Sequence, residues 1–202
     1  MNKYGILVFT IEDDNTYYAN SLRRTMISDV PTLAIDTVNI VHNTSNLSDE
    51  ILAHRLGLVV MSSEIVLKED LGGDVEFSLD MTCREKEISV TAGMIQTKHP
   101  LVKPVNPDTV ITKLYWGQQI VLRGRIKKGT GREHAKWMPV SVIGYRIQYL
   151  GKNRMKIYLS IEPVGNLSAK TILNKAVKIM KTRTEKPAHN RFKAGYLVNE
   201  CK

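Results

Sequence analysis

The chain has 202 residues, 43% of them hydrophobic, which is enough apolar material for a core of one or two domains and too much for a disordered segment. Its two cysteines, Cys83 and Cys201, are too few and too far apart for a disulfide framework or a cysteine-rich zinc site, which fits a reducing compartment. The net charge of +9 is uneven: 1–97 hold 7 basic and 15 acidic residues, whereas 98–136 and 170–202 each hold 9 basic and 2 acidic, so different regions suit partners of opposite sign.

Residues 4–11, YGILVFTI, predict a first strand, and the acidic turn at 12–15 follows it. That turn, with Glu12, Asp13 and Asp14, breaks the basic-then-apolar layout of a signal peptide, and no apolar run is long enough to span a membrane. Asn15 or Thr16 can cap a helix reaching about Ser28, on which Tyr18, Leu22 and Met26 make one apolar stripe. Arg23 and Arg24 lie elsewhere on its circumference, and Asp29 and Pro31 mark its exit. The alternation of Leu33, Ile35, Val38 and Ile40 predicts a strand over 32–41, then a polar loop over 42–46. Ser48 is placed to cap a short helix ending at Gly57, with Asp49 and Glu50 favourable in its first turn. Ile51, Leu52 and Leu56 form its apolar side, while His54 and Arg55 sit on or beside the polar one.

Beyond Met61 the pattern turns to strands. Segments 74–82 and 87–92 are spaced for a hairpin around 84–86, and a proline-rich loop with Pro100, Pro104 and Pro107 follows. Residues 118–127 predict another strand, leading into a loop with Gly129 and Gly131 that opens onto 134–139. Segments 141–149 and 154–162 read as strands joined by a turn at 151–153. The last helix is capped by Ser168, with Ala169, Ile172, Leu173, Ala176, Val177 and Met180 at spacings of three and four. Its opposite face carries Lys170, Lys175, Lys178 and Lys181; Pro187 bounds it, and the tail beyond is expected to be mobile. The sum is an α+β protein with no internal repeat. A helix near each end, with strands between, permits a discontinuous domain.

Residues 19–36, ANSLRRTMISDVPTLAID, together with 49–58, DEILAHRLGL, closely resemble the signature of the Rpb3, archaeal D and bacterial alpha family of RNA polymerase subunits. The run GTGREHAKWMP at 129–139 resembles the same family's glycine-rich, HAKW-containing loop, in the form of its eukaryotic and archaeal branch. Segments 114–122 and 161–176 continue the match, which therefore covers nearly the whole chain.

The resemblance implies an alpha-like fold with a discontinuous dimerisation domain at 1–30 and 146–202 and a mainly β inserted domain at 31–145. It implies a non-catalytic assembly subunit of a DNA-directed RNA polymerase. The expected partners are a smaller Rpb11/archaeal L-like subunit and the second-largest subunit, with the largest subunit and small Rpb10/Rpb12-like subunits as further neighbours. No cofactor is expected on this chain, and Mg2+ is expected in the catalytic subunits of the complex. The chain is shorter than typical eukaryotic relatives. It lacks the cysteine cluster with which some members bind zinc or iron–sulfur, and a C-terminal DNA-binding extension like that of bacterial alpha is not expected after its last helix. The expected location is intracellular, with nucleus and cytoplasm both open, as are a virion or viral factory if this is a compact viral relative.

The resemblance also implies roles for particular residues. Arg23, Arg24, His54 and Arg55 look like large-subunit contacts; guanidinium forks suit carboxylates and backbone carbonyls. Gly129, Gly131, His134, Lys136 and Trp137 look like a docking loop, in which glycine permits close approach and Trp137 offers contact area. Tyr18, Leu22, Met26, Ile172, Leu173, Ala176, Val177 and Met180 are the expected dimerisation residues. The last-helix series is expected to combine burial in its own domain with a share in the interface, and aspartate at Ala176 or Val177 should disrupt pairing through an unpaired buried charge. No metal ligand set is assigned.

Two other classes compete. An enzyme would need Glu133, His134 and Asp49 as an acid–base set, which the sequence does not join in a recognised geometry. A basic nucleic-acid-binding adaptor would use 98–136 and 170–202 and bind with strong salt dependence, but no zinc finger, helix-turn-helix or aromatic-interleaved basic platform is evident.

Overall fold

The computed structural model describes residues 5–13, 16–67, 73–151, 154–185 and 199–200. In chain order the elements are β1 (Leu7–Asp13), α1 (Tyr17–Ser28), β2 (Thr32–Asn43), α2 (Asp49–Gly57), β3 (Val75–Thr82), β4 (Glu87–Thr91), β5 (Gln96–Thr97), β6 (Val110–Tyr115), β7 (Gln119–Gly129), β8 (Val140–Gly151), β9 (Arg154–Pro163), α3 (Ala169–Glu185) and β10 (Asn199–Glu200). Short 3-10 turns occupy Glu64–Leu67, Ala92–Met94 and Ala135–Trp137. Every strand pairing among the described residues is antiparallel, as expected of an α+β chain in which helices and strands are segregated.

The chain divides into two units, one formed by 1–30 with 130–202 and the other by 31–129. The boundary expected at 145/146 would cut β8 in two. It falls instead at 129/130, because β8 pairs with β9 from Val140↔Pro163 to Gly151↔Arg154 and cannot be shared between cores.

In the first unit the strand order is β10-β1-β9-β8. The register sets Leu7, Phe9 and Ile11 opposite Ile161, Leu159 and Ile157, and sets Ile143, Tyr145 and Ile147 opposite the same three. Alternation puts all of these on one face. On that face Phe9, Ile11, Ile157, Leu159 and Ile161 are buried, together with Leu22 and Met26 of α1 and Ile172 and Ala176 of α3. Thr16 stands at the start of α1 but makes no side-chain cap bond, and Asn15 lies outside the described residues. Ser168 does cap α3: its Oγ accepts the Thr171 N–H at 3.2 Å. Pro187 and most of the tail lie outside the described residues; Asn199 and Glu200 pair with Thr10 and Phe9 on the outer edge of β1.

In the second unit the main sheet runs β2-β7-β3-β5, and β4 and β6 form a separate pair. Its core gathers Leu33, Ile35, Leu52, Leu56, Phe77, Leu79, Leu114, Ile120, Leu122 and Ile126, all 3% exposed or less. Gly124 lets β2 and β3 close on β7: a Cβ there would collide with the Thr37 carbonyl oxygen and lie 2.5 Å from the Phe77 ring.

The expected hairpin between 74–82 and 87–92 does not form. β3 pairs with β7 over eight residues, and β4 pairs with β6 from Glu87↔Tyr115 onward. The separation begins at Cys83, whose N–H donates to Gln118 O at 2.9 Å and whose carbonyl accepts from Gly117 N at 3.1 Å. Ser48 also departs from expectation: it makes no side-chain cap bond, and Asn43 Nδ2 instead donates to Asp49 Oδ1 at 2.7 Å.

Candidate functional site

The helix faces are more fully used inside this chain than their periodicity implies. Leu22, Met26, Ile172 and Ala176 are at most 2% exposed and Leu173 is 7% exposed, so these five build the first unit's own core. Burial within the unit is one half of the combination expected of Ile172, Leu173 and Ala176, and the pairing role of these five is a proposal. Tyr18, Val177 and Met180 are half-buried and keep surface to offer.

The sheet supplies apolar surface that the sequence reading missed. α1 packs alongside β8 but leaves part of that strand's helix-bearing side open. Tyr145 and Tyr149 project on the helix-bearing face yet stay 56% and 75% exposed, and Ile143 and Ile147 are half-buried. Tyr17 at the start of α1 is 78% exposed. Between α1 and the sheet a cleft of about 110 Å³ is lined by Thr16, Ala19, Asn20, Tyr145 and Ile157. The odd-numbered alternation of Ile143, Tyr145, Ile147 and Tyr149 was a legible signal; how much of it α1 leaves open was not.

Of the expected large-subunit contacts, Arg24 and His54 are exposed. Arg23 is half-buried and donates through Nη2 to Asn20 Oδ1 at 2.9 Å. Arg55 has internal work: Nε donates to the Ile111 carbonyl at 2.6 Å and an Nη2 hydrogen to the Val110 carbonyl at 3.0 Å. These bonds tie α2 to β6, so part of its donor fork is engaged within the second unit.

The glycine-rich loop is built from the inside. Gly129 ends β7 opposite Thr32 in the second unit. In the first unit Gly131 lies against the end of α1: a Cβ there would collide with the Ile27 carbonyl oxygen and come within 2.9 Å of Met138 Cγ. The Arg132 N–H donates to Ser28 O at 3.0 Å. Glu133 Oε1 accepts the Thr130 N–H and hydroxyl at 3.1 and 3.0 Å. His134 Nδ1 accepts the Lys136 N–H at 3.0 Å, which caps the 3-10 turn and leaves Nε2 as the ring's other hydrogen-bonding atom. Trp137 is 5% exposed, with the Lys136 ammonium 4.3 Å from its ring centre and His134 edge-on at 6.5 Å. Trp137 is thus corrected from a contact surface to an internal anchor, and the loop's free surface is polar.

Glu133 and His134 spend acceptor atoms on loop backbone, and Asp49 accepts from Asn43 in the second unit. No group of three or more His, Cys, Asp or Glu placed to hold a metal occurs among the described residues. Cys83 is buried with its thiol donating to Glu85 O at 3.1 Å, and Cys201 lies outside the described residues.

Sequence reasoning took Asp29 only as a helix exit. Its side chain is 7% accessible and pairs with two arginines, Arg132 of the loop at 2.9 Å and Arg183 of α3 at 2.7 Å. Burial alone would raise its pKa. The hydrogen bond and charge of Arg183, the Ser28 hydrogen bond and the Arg132 charge outweigh that and hold the carboxyl below its ordinary value.

Against known proteins, the profile of the family described as the RNA polymerase Rpb3/Rpb11 dimerisation domain matches residues 8–184. The chain is 34% identical over 168 residues to the DNA-directed RNA polymerase subunit Rpo3 of Methanocaldococcus jannaschii, covering 83% of this chain and 81% of that one. It is 36% identical over 177 residues to the DNA-directed RNA polymerase II subunit rpb3 of Dictyostelium discoideum, covering 76% and 59%. It is 34% identical over 165 residues to subunit 3 of the DNA-directed RNA polymerases II, IV and V of Arabidopsis thaliana, covering 68% and 52%. The chain thus spans little more than half the length of the latter two relatives.

Proposed function

This chain belongs to the RNA polymerase Rpb3/Rpb11 dimerisation-domain family, and from that membership and its surface we propose that it is a non-catalytic assembly subunit of a multisubunit DNA-directed RNA polymerase. Its first unit pairs with a smaller Rpb11/archaeal L-like subunit. Its 130–139 loop, with Arg24 and His54, docks the second-largest subunit, and the largest and small Rpb10/Rpb12-like subunits join the same assembly. The Mg2+-dependent nucleotide transfer takes place in the large subunits, and the location is intracellular.

The observation that carries this reading is the apolar surface that β8 keeps open on the first unit's helix-bearing sheet face. Tyr145 and Tyr149 stand exposed there beside half-buried Ile143 and Ile147. Aromatic rings on a rigid strand beside a helix are the kind of surface that gains most from burial against a partner. Half-buried Tyr18, Val177 and Met180 offer further apolar surface on the two helices.

A second reading, a basic nucleic-acid-binding adaptor, draws support from charge. The first unit has 18 basic and 8 acidic residues, against 11 and 12 in the second. One experiment separates the two: affinity purification of the tagged chain from its native source, followed by intact-complex mass analysis. Recovery of a small alpha-like subunit with two very large ones is the expected result. A chain that comes down alone, or only with nucleic acid released by salt, would end the assembly reading.

A further inference from the structure

The Asp29 carboxylate is shared between two parts of the first unit that lie far apart in sequence. Oδ1 accepts from Arg132 Nη2 at 2.9 Å, and Oδ2 accepts from Arg183 Nη1 at 2.7 Å. Arg132 belongs to the 130–139 loop, and Arg183 lies in the last turn of α3. We infer that Asp29 is a positioning residue that makes the pose of this loop depend on the last turn of α3, and therefore on whatever packs against that helix. The inference rests on the docking role proposed for the loop.

The physical reason is that a nearly buried carboxylate needs both partners. With Arg183 gone, Oδ2 loses its charged donor, and Arg132 of the loop is left to hold the carboxylate through Oδ1. The Arg132 N–H donates to Ser28 O, the residue before Asp29, so a shift of the Asp29 side chain is felt where the loop meets the end of α1. On the other side, helix ends fray because their last carbonyls lack intrahelical partners. Half-buried Val177 and Met180 precede Arg183 by six and three residues, on neighbouring turns of α3. A partner covering them would hold the last turn helical and keep Arg183 on Asp29. By linkage, a loop held by a large subunit would strengthen partner binding by the same factor.

Amide hydrogen exchange on the full chain, alone and co-expressed with the small Rpb11-like subunit of the same source, tests this. In the free chain Arg183→Ala should speed exchange at the Arg132 amide roughly three- to tenfold. The Leu122 amide in β7 and the Ile161 amide in β9 should not change. Arg183→Lys, which keeps the charge but not the fork, should recover part of the protection. In the heterodimer the small subunit should slow the Arg132 amide in the wild type and not in Arg183→Ala. Equal Arg132 exchange in wild type and Arg183→Ala would overturn the inference, as would equal protection of that amide by the partner in both. If Arg183→Ala also speeds Ile161, marking loss of the whole unit, Arg183→Lys is judged by the same two comparisons. A small subunit that fails to bind even the wild type would sink the pairing reading, with the free-chain exchange still deciding whether the clasp exists.

Discussion

The two units of this chain close their cores in different ways. In the second, β2, β7 and β3 with α2 enclose Leu52, Leu56, Leu79, Leu122 and Ile126, and its exposed apolar side chains, among them Val41, Ile51, Leu101, Val110, Tyr115 and Trp116, lie outside that core. In the first, α1 and α3 bury Phe9, Leu159 and Ile161 but leave Tyr145 and Tyr149, on the same side of the sheet, more than half exposed. Exposed apolar residues on the outward side of a strand are ordinary; exposed rings on the core-bearing side are surface that a partner can cover. The charges divide along the same line, with the basic excess confined to the first unit. The comparison teaches that both units expose apolar side chains, and that in the first the exposed Tyr145 and Tyr149 share the face that carries the core.

The harshest way to break this comparison is to charge the first unit's interior. Ile172→Asp or Ala176→Asp places an unpaired carboxylate where no side-chain surface is exposed and should cost about 3 kcal/mol or more. The unpaired buried charge expected to disrupt pairing at Ala176 thus falls first on the unit's own core. Fluorescence of buried Trp137 should report the loss, while amide protection in β7 persists if the second unit stands alone.

Glycine substitution tests both units at once. Gly131→Ala in the first and Gly124→Ala in the second each drive a methyl group into a backbone carbonyl and should cost about 1–3 kcal/mol in thermal melts. Only Gly131→Ala should also weaken capture of the second-largest subunit.

Asp29→Asn should cost about 1–3 kcal/mol at neutral pH, because two charge-assisted bonds lose their acceptor charge. The sign with pH follows from the lowered carboxyl. Its contribution is complete above the unfolded pKa near ~3.9 and is lost as pH falls through the lower folded value. The gap between wild type and Asp29→Asn should therefore be constant at neutral pH and shrink on acidification, as equilibrium melts against pH would measure. A gap that widened in acid would contradict the assignment.

The smallest effect on the free chain sharpens the comparison most. Tyr145→Ser and Tyr149→Ser should each move stability by about 0.5 kcal/mol or less, since the rings are mostly solvated. Titration calorimetry should nonetheless find the affinity for the small alpha-like subunit reduced by about tenfold or more.

By itself the sequence determined what local periodicity can carry. The i, i+4 stripe of Leu22 and Met26, the 3–4 spacing from Ala169 to Met180 and the alternation along β8 and β9 each encode an element and its inward side, because 3.6- and 2-residue repeats are properties of contiguous chain. Ordered blocks such as DEILAHRLGL and GTGREHAKWMP carried the family, since runs of specific residues in sequence do not need the fold to be recognised. Tertiary structure alone decided which partner each element meets. β3 chose β7 over the nearby β4, Trp137 turned inward, and the helix stripes closed on their own sheet instead of remaining open. It alone brought Asp29 to Arg132 and Arg183, 103 and 154 residues away in the chain. Such pairings depend on complementary shape and on what desolvation costs across two surfaces, and neither is written in the spacing of residues along one strand or helix.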